Sequence, residues 1–281
     1  MFKGGTSLSK VFGVIDRFSE DIDLSLSPAF LKLPDAGTSR NQADKWMKQA
    51  EAACGISVRS QIAPALESAA AEIVGPHQRV WFEFLIDPGT HSPVLLFHYP
   101  SMHPVGFEYL PRVVKLEFGS LTDQQPVGRH SVTPWIAEVF PAVFADWKCE
   151  VVALELERSF WEKATILHAE CHRPTDKPTP DRFSRHYADT AALATHPVAA
   201  QAVGQHELRK RVVRWKSQFF GRTWANYDLA TPGTFRLLPP PQRLTALRRD
   251  YQAMREMYLS EPVRFEEILS ILADLETRIN K

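Results

Sequence analysis

Apolar and polar positions along this chain change period midway. Over residues 42–53, Ala43, Trp46, Met47 and Ala50 recur at three- and four-residue intervals and mark one face of a helix. Residues 62–74 repeat that period more weakly, as a second helix or one broken at Pro64. Residues 80–86 and 94–99 then have strand composition, and Asp87-Pro-Gly89 between them punctuates a hairpin. In Val113-Val-Lys-Leu-Glu-Phe-Gly119 the alternation is strict, with Val113, Lys115 and Glu117 on one face and Val114, Leu116 and Phe118 on the other. These segments predict the body of a sheet. Residues 124–134 are polar and read as loop, and Thr133-Pro134 opens a helix through residue 142, with Thr133 as N-cap. From about residue 150 the reading is helical, over 154–168, 183–193, 198–218, 240–257 and 263–279, with turns at Pro174 to Pro180 and at Thr231-Pro-Gly-Thr234. A strand-bearing half followed by a helical half predicts two lobes, residues 1–150 and 151–281.

Composition narrows the class. At 281 residues the chain can bury a core in each of two lobes. It contains no run of 18 or more apolar residues, and Lys3, Lys10 and Asp16 interrupt the start. A membrane span and a secretory signal are therefore not expected, and the protein reads as cytoplasmic. Cys54, Cys149 and Cys171 are odd in number and lack CxxC spacing, so free thiols are expected. The net charge is zero, which argues against a nucleic-acid packaging role. Within residues 209–255, however, eleven Arg and Lys stand against only Asp228 and Asp250. Two readings stay open there: a polyanion-binding face, or a solvated helical surface whose charges pair elsewhere in the fold. His168 and His172 have a spacing that can bind zinc, but Pro174 follows at once and no other ligand pair accompanies them, so no metal is expected there.

Candidate chemistry concentrates at the start. Gly4 and Gly5 have no Cβ and can bring backbone N–H groups close to a phosphate, and Thr6, Ser7 and Ser9 add hydroxyls. A short helix from Leu8 to about Ile15 is expected next. In Asp21-Ile-Asp-Leu24, strand alternation throws both aspartates onto one face, with Ile22 and Leu24 turned to the core. Two carboxylates so close call for a cation, and hard divalent metals prefer such oxygen ligands. Alone, each piece also fits an ordinary turn or a solvated strand end. In this order and spacing they describe the front half of a polymerase β-type nucleotidyltransferase site. Such a site needs a third carboxylate from a neighbouring strand. Glu117 leads Glu83 and Asp87 for that part, and the alternative is an exposed strand glutamate paired with Lys115.

Two helices add further candidates. Phe160, Lys163, Ala164 and Leu167 fall together at helical spacing, so Lys163 lies on or beside an apolar face. There it either finds an anionic partner or snorkels its ammonium outward. On the next helix Arg185, His186 and Asp189 are neighbours, and Asp189 either accepts a hydrogen bond from Arg185 or acts directly.

Lys3-Gly-Gly-Thr-Ser-Leu-Ser-Lys10 with Arg17-Phe-Ser-Glu-Asp-Ile-Asp-Leu24 resembles the signature of the AbiEii/AbiGii toxin nucleotidyltransferases, relatives of the MenT toxins. Lys115-x-Glu117-Phe118, Glu162-Lys163 and Arg185-His-Tyr-x-Asp189 are similar to later motifs of that family, so the resemblance covers most of the chain through residue 193. It implies an α/β (α+β) fold: a polymerase β-type nucleotidyltransferase lobe with a twisted mixed sheet, and a helical C-terminal lobe closing over the cleft. It implies transfer of a nucleoside monophosphate from an NTP to an acceptor, with Asp21, Asp23 and Glu117 holding Mg²⁺ or Mn²⁺. Gly4, Gly5, Thr6 and Ser7 would grip the terminal phosphates with Lys163. Asp189 would aid the acceptor or orient Lys163, and Arg185 and His186 would meet phosphate. The implied biology is the toxin of a type IV toxin–antitoxin or abortive-infection system, with a cognate antitoxin as partner. RNA is the implied acceptor, since MenT relatives modify tRNA ends. Family members usually carry a helical segment and a strand ahead of the glycine turn. Here only Met1-Phe2-Lys3 precede it, so the first strand is expected to be shortened or its leading part missing. Two other readings are a catalytically inactive nucleotide- or RNA-binding protein and a nucleotidyltransferase acting on a small molecule.

Overall fold

The computed structural model describes residues 1–19, 21–34, 36, 39–75, 81–99, 113–144 and 147–281. The fold is mixed α/β. The chain divides into two compact units. One comprises Met1–Ser7, Ser19–Gln124 and Arg129–Ala153, and the other Leu8–Phe18, Gln125–Gly128 and Leu154–Lys281.

In the first unit Phe2 makes single-residue bridges to Leu24 and to Ala153. The turn α1 (Gly4–Thr6) follows and continues as one π-helical turn, Ser7–Val11. The helix expected to reach Ile15 thus begins earlier and stops sooner. Gly13, at φ +61°, and the β-branched pair Val14-Ile15 do not favour its continuation.

Strand β1 (Asp21–Ser25) leads to helix α2 (Arg40–Ser57), which Ser39 and Gln42 start with a reciprocal capping box. Pro64 does not break the helical run. A π-helical turn, Val58–Ile62, absorbs the missing N–H of proline, and α3 (Ala63–Val74) carries on beyond it. The hairpin is formed by β2 (Phe82–Ile86) and β3 (Pro93–Phe97), and Val80, expected at its start, lies outside the described residues. With β4 (Val114–Gly119) these strands give a four-stranded sheet in the order β1-β4-β3-β2, antiparallel except for the parallel pair β1 and β4. Leu24, Leu95, Leu116 and Phe118 turn one face of the sheet into a core against Cys54 and Val58 of the long helical run.

Residues 124–134 correct the loop expectation. Val127–Val132 is strand β5, paired with β6 (Cys149–Leu154), where a helical reading had been expected to begin. In β5, Arg129 and Ser131 point outward and His130 and Val132 inward, so the period is two although apolar residues are few. Between these strands, helix α4 spans only Trp135–Val139, and Pro134 rather than Thr133 is its N-cap.

The second unit is helical: α5 (Leu156–Cys171), α6 (Ser184–Thr195), α7 (Val198–Gly204), α8 (His206–Phe219), α9 (Leu244–Ala253) and α10 (Phe265–Asn280). The helix expected over 198–218 is two, broken at Gly204-Gln205. The core is built on Phe160, Trp161, Leu167, Tyr187, Leu193, Phe235, Leu272 and Leu275. Trp161 is fully buried, meets Phe235 edge-on and donates its indole N–H to the carbonyl of Ala202 at 3.0 Å.

His168, also fully buried, completes this core. Its Nε2 faces the carbonyl of Asn226 at 3.0 Å, and its Nδ1 accepts the N–H of Arg236 at 3.0 Å. That pattern requires a neutral ring protonated on Nε2, and both nitrogens are committed to the main chain rather than to a metal. Burial pulls its pKa down to about 4 from the usual 6.5. The unfolded chain therefore takes up a proton first as pH falls, so this contribution to stability is complete above pH 6.5 and is lost toward pH 4. Thermal melts between pH 7 and 4.5 should show a fall in Tm that is shallower in His168→Gln. Equal slopes would exclude His168 as a source of acid lability.

Candidate active site

In the first unit, the face of the sheet opposite the core carries the charged residues. Asp21 and Asp23 alternate with Ile22 and Leu24 along β1. The parallel register sets Asp21 opposite Lys115 and Asp23 opposite Glu117, so all four side chains share one face. The glycine turn lies directly against this face. Gly4 has φ +68°, and a Cβ there would fall 2.0 Å from Oδ2 of Asp23, so the close approach of backbone to carboxylate needs glycine twice over. The N–H of Lys3 donates to the Asp23 carbonyl at 3.1 Å and ties the turn to the strand.

The hydroxyls of this turn differ from the expected phosphate donors. That of Thr6 donates to the carbonyl of Asp21, and that of Ser7 donates to the carbonyl of Gly4 at 2.9 Å. Gly5, Thr6 and Ser7 are buried, and Ser9 donates to the carbonyl of Arg17 at 3.4 Å. Their protons staple the turn, so what it can present to an anion is backbone N–H, the group that a helix start leaves without an intrahelical acceptor.

Glu117 accepts a hydrogen bond from the Lys115 ammonium at 3.0 Å, the pairing that competed with a metal role. Partial burial pulls the Lys115 pKa down, but the bond to Glu117 and the charges of Asp21, Glu117 and Asp87 outweigh it and raise it. One ammonium thus balances several carboxylates. Among the described residues no three carboxylate, imidazole or thiol side chains are grouped closely enough to hold a metal ion. The donor chemistry fits a hard divalent cation at Asp21 and Asp23, beside the cradle that a Cβ on Gly4 would fill. For Glu117 the fit is incomplete while Lys115 holds it.

In the second unit, Lys163 on α5 and Asp189 on α6 form a direct ion pair, with Nζ to Oδ2 at 2.7 Å. Asp189 does not take Arg185 as its partner. Arg17 grips it in bidentate fashion instead, Nε to Oδ1 and Nη2 to Oδ2, both at 2.9 Å. Arg17, Lys163 and Asp189 retain 2, 8 and 1 % of their exposure, so this is a desolvated cluster. Burial raises the Asp189 pKa, but the adjacent Lys163 and Arg17 overcome it and hold the carboxyl far below its usual range. For Lys163, burial and the charges of Arg17 and Arg185 outweigh Asp189 and lower the pKa. His186 stands 3.4 Å from the Lys163 ammonium through Nδ1, and burial with the charges of Lys163 and Arg185 keeps its pKa well below the ordinary value. The carboxylate of Asp250 anchors the start of α6, accepting the N–H groups of Arg182 and Ser184 at 2.8 Å.

The basic stretch 209–255 is mostly occupied within its own unit. Lys210, Lys216, Arg236, Arg248 and Arg255 pair with Glu207, Glu162, Glu276, Glu266 and Glu261. Arg209 is buried over the ring of Trp161, and Arg243 is buried against Thr179 and the carbonyls of Pro174 and Lys177. This favours the surface of internal ion pairs over a dedicated polyanion face.

Arg17 is the residue of this site that sequence reasoning passed over. It stands inside the Arg-x-Ser-Glu-Asp-Ile-Asp stretch, and its position six residues before Asp23 was the available signal.

A mixed sheet with paired aspartates on its first strand and a glycine turn against them is the framework of a nucleotidyltransferase. Residues 1–271 match the family described as nucleotidyl transferase AbiEii toxin of type IV toxin–antitoxin systems, and the chain belongs to it. A search of curated proteins found no match. No helix among the described residues is long and apolar enough to cross a membrane.

Gly4→Ala should lower stability by at least about 1–2 kcal/mol from the left-handed backbone alone, before the clash with Asp23 is counted. Urea unfolding checks this. A midpoint equal to wild type would contradict the packing of the turn on the carboxylate.

Proposed function

We propose that this chain transfers a nucleoside monophosphate from an NTP to an RNA acceptor such as tRNA, with release of pyrophosphate, as the toxin of a type IV toxin–antitoxin pair whose partner is a cognate antitoxin. The observation that carries this reading is the contact between the Gly4 backbone and the Asp23 carboxylate, on a strand that also presents Asp21 on that face. Nucleotidyl transfer needs a divalent cation and a phosphate in contact, and a side chain on Gly4 would occupy that space.

Asp21 and Asp23 would hold Mg²⁺ or Mn²⁺, with Glu117 joining them when it gives up Lys115. When bound, the cation supplies neutralisation of charge developing at the α-phosphate. The N–H groups of the Gly4-Gly5 turn would receive phosphate oxygens, fixed in direction by the bonds that Thr6 and Ser7 make to the main chain. Lys163 would meet the triphosphate, with Asp189 fixing its ammonium in space. Both Asp189 oxygens are engaged by Arg17 and Lys163, which favours orientation of Lys163 over proton abstraction from the acceptor.

The test uses purified protein, Mg²⁺, total cellular RNA and each α-labelled NTP in turn. Label should appear on RNA with one NTP or a subset, and Asp21→Ala/Asp23→Ala should abolish it. Label confined to small molecules would replace the RNA acceptor with a small one. Nucleotide binding without transfer to any acceptor would replace the enzyme with a nucleotide-binding protein.

A further inference from the structure

The Arg17–Asp189–Lys163 cluster contains two cations and one carboxylate, and all three are buried. A lone Lys163–Asp189 pair would be neutral overall and would offer an anion little. Arg17 changes that balance: with it the cluster carries one net positive charge in a desolvated setting, where charge acts most strongly. The geometry fixes which cation is free to use it. Arg17 spends Nε and Nη2 on Asp189 and donates from Nη1 to the Phe18 carbonyl at 3.1 Å. Its main chain is pinned as well, by the bridge to Tyr258 and by the Phe18 N–H to the Met257 carbonyl at 2.7 Å. Lys163 has three protons, of which one goes to Asp189 and one faces His186.

We propose that Arg17 is a positioning residue that claims the Asp189 carboxylate and so leaves the charge of Lys163 available to an anionic phosphate chain. The proposal rests on the nucleotide-transfer reading for the identity of the anion, but its electrostatic half stands on the cluster alone. The groups acting on Lys163 are Asp189, Arg17 and Arg185, with His186 at 3.4 Å. Of these, Arg17 alone makes a bidentate contact with Asp189.

The experiment uses the full chain and two readouts. The first is the pH dependence of Lys163 modification by an amine-selective reagent, followed on its peptide by mass spectrometry. The second is the affinity for inorganic tripolyphosphate by calorimetry. In Arg17→Met, the Lys163 midpoint should rise by about one unit and tripolyphosphate should bind about tenfold more weakly, because the remaining pair is neutral. Arg17→Met/Asp189→Asn removes one charge of each sign and should restore binding to within a few-fold of wild type. A residue needed only for packing would give a double variant no better than the single one. Arg17→Lys keeps the charge and should stay near wild type in both readouts, and thermal melts verify that each variant is folded. If Arg17→Met does not fold, Arg17→Lys together with the wild-type Lys163 midpoint decides: a wild-type midpoint at or above that of a free lysine overturns the proposal.

An unmoved Lys163 midpoint in folded Arg17→Met, or a double variant that binds no better, overturns the Arg17 inference by itself. Wild-type protein that ignores tripolyphosphate while the Lys163 shift is present overturns the nucleotide reading, and the anion half of this proposal with it.

Discussion

Parallel pairing of β1 with β4 is the constraint from which the first unit takes its chemistry. Because the register sets Asp23 beside Glu117 and Asp21 beside Lys115, the apolar halves of both strands go to one face and the charged halves to the other. A one-residue slip of β1 would turn its aspartates to the core and expose Leu24. The long helical run that includes α2 and α3 secures the apolar face, and the glycine turn closes on the charged one. Unit packing and site geometry are thus one arrangement seen from two sides.

The second unit follows the same economy with a single carboxylate. Asp189 would be costly to bury alone, and so would Arg17 or Lys163. Together they form a cluster that joins α5, α6 and the segment ahead of β1, with two cations against one carboxylate. The other acidic residues of this unit act differently. Glu162, next to Lys163 in sequence, ties Arg158 and Lys216 together, so the Glu-Lys pair of the motif divides into a structural residue and a functional candidate.

Much of the fold could be read from period alone. The strands at 82–86, 93–97 and 114–119 and the helices carrying Lys163 and Asp189 follow from strong local patterns of apolar residues. The β5–β6 ribbon was missed because its residues are largely polar, and strand pairing there depends on a partner some twenty residues away. Residue types and spacing singled out Asp21 and Asp23 as candidates, whereas Lys163 and Asp189 were assigned through the family resemblance. Partners were harder. Arg17 meets Asp189 across 172 positions, Glu117 turns to Lys115 two positions away, and five of the eleven basic residues of 209–255 pair with acids that lie outside that stretch. The hydroxyls of Thr6 and Ser7 look the same in sequence whether they serve a phosphate or a carbonyl.

The account stands or falls on whether the β1 aspartates bind a divalent cation with a nucleotide. The most direct measurement is an electron paramagnetic resonance titration of Mn²⁺ with the protein in the presence of each NTP. Wild-type protein should deplete the free Mn²⁺ signal to a defined stoichiometry beyond what NTP alone removes, and Asp21→Asn/Asp23→Asn should leave only the NTP effect. Equal depletion by both proteins would contradict the account.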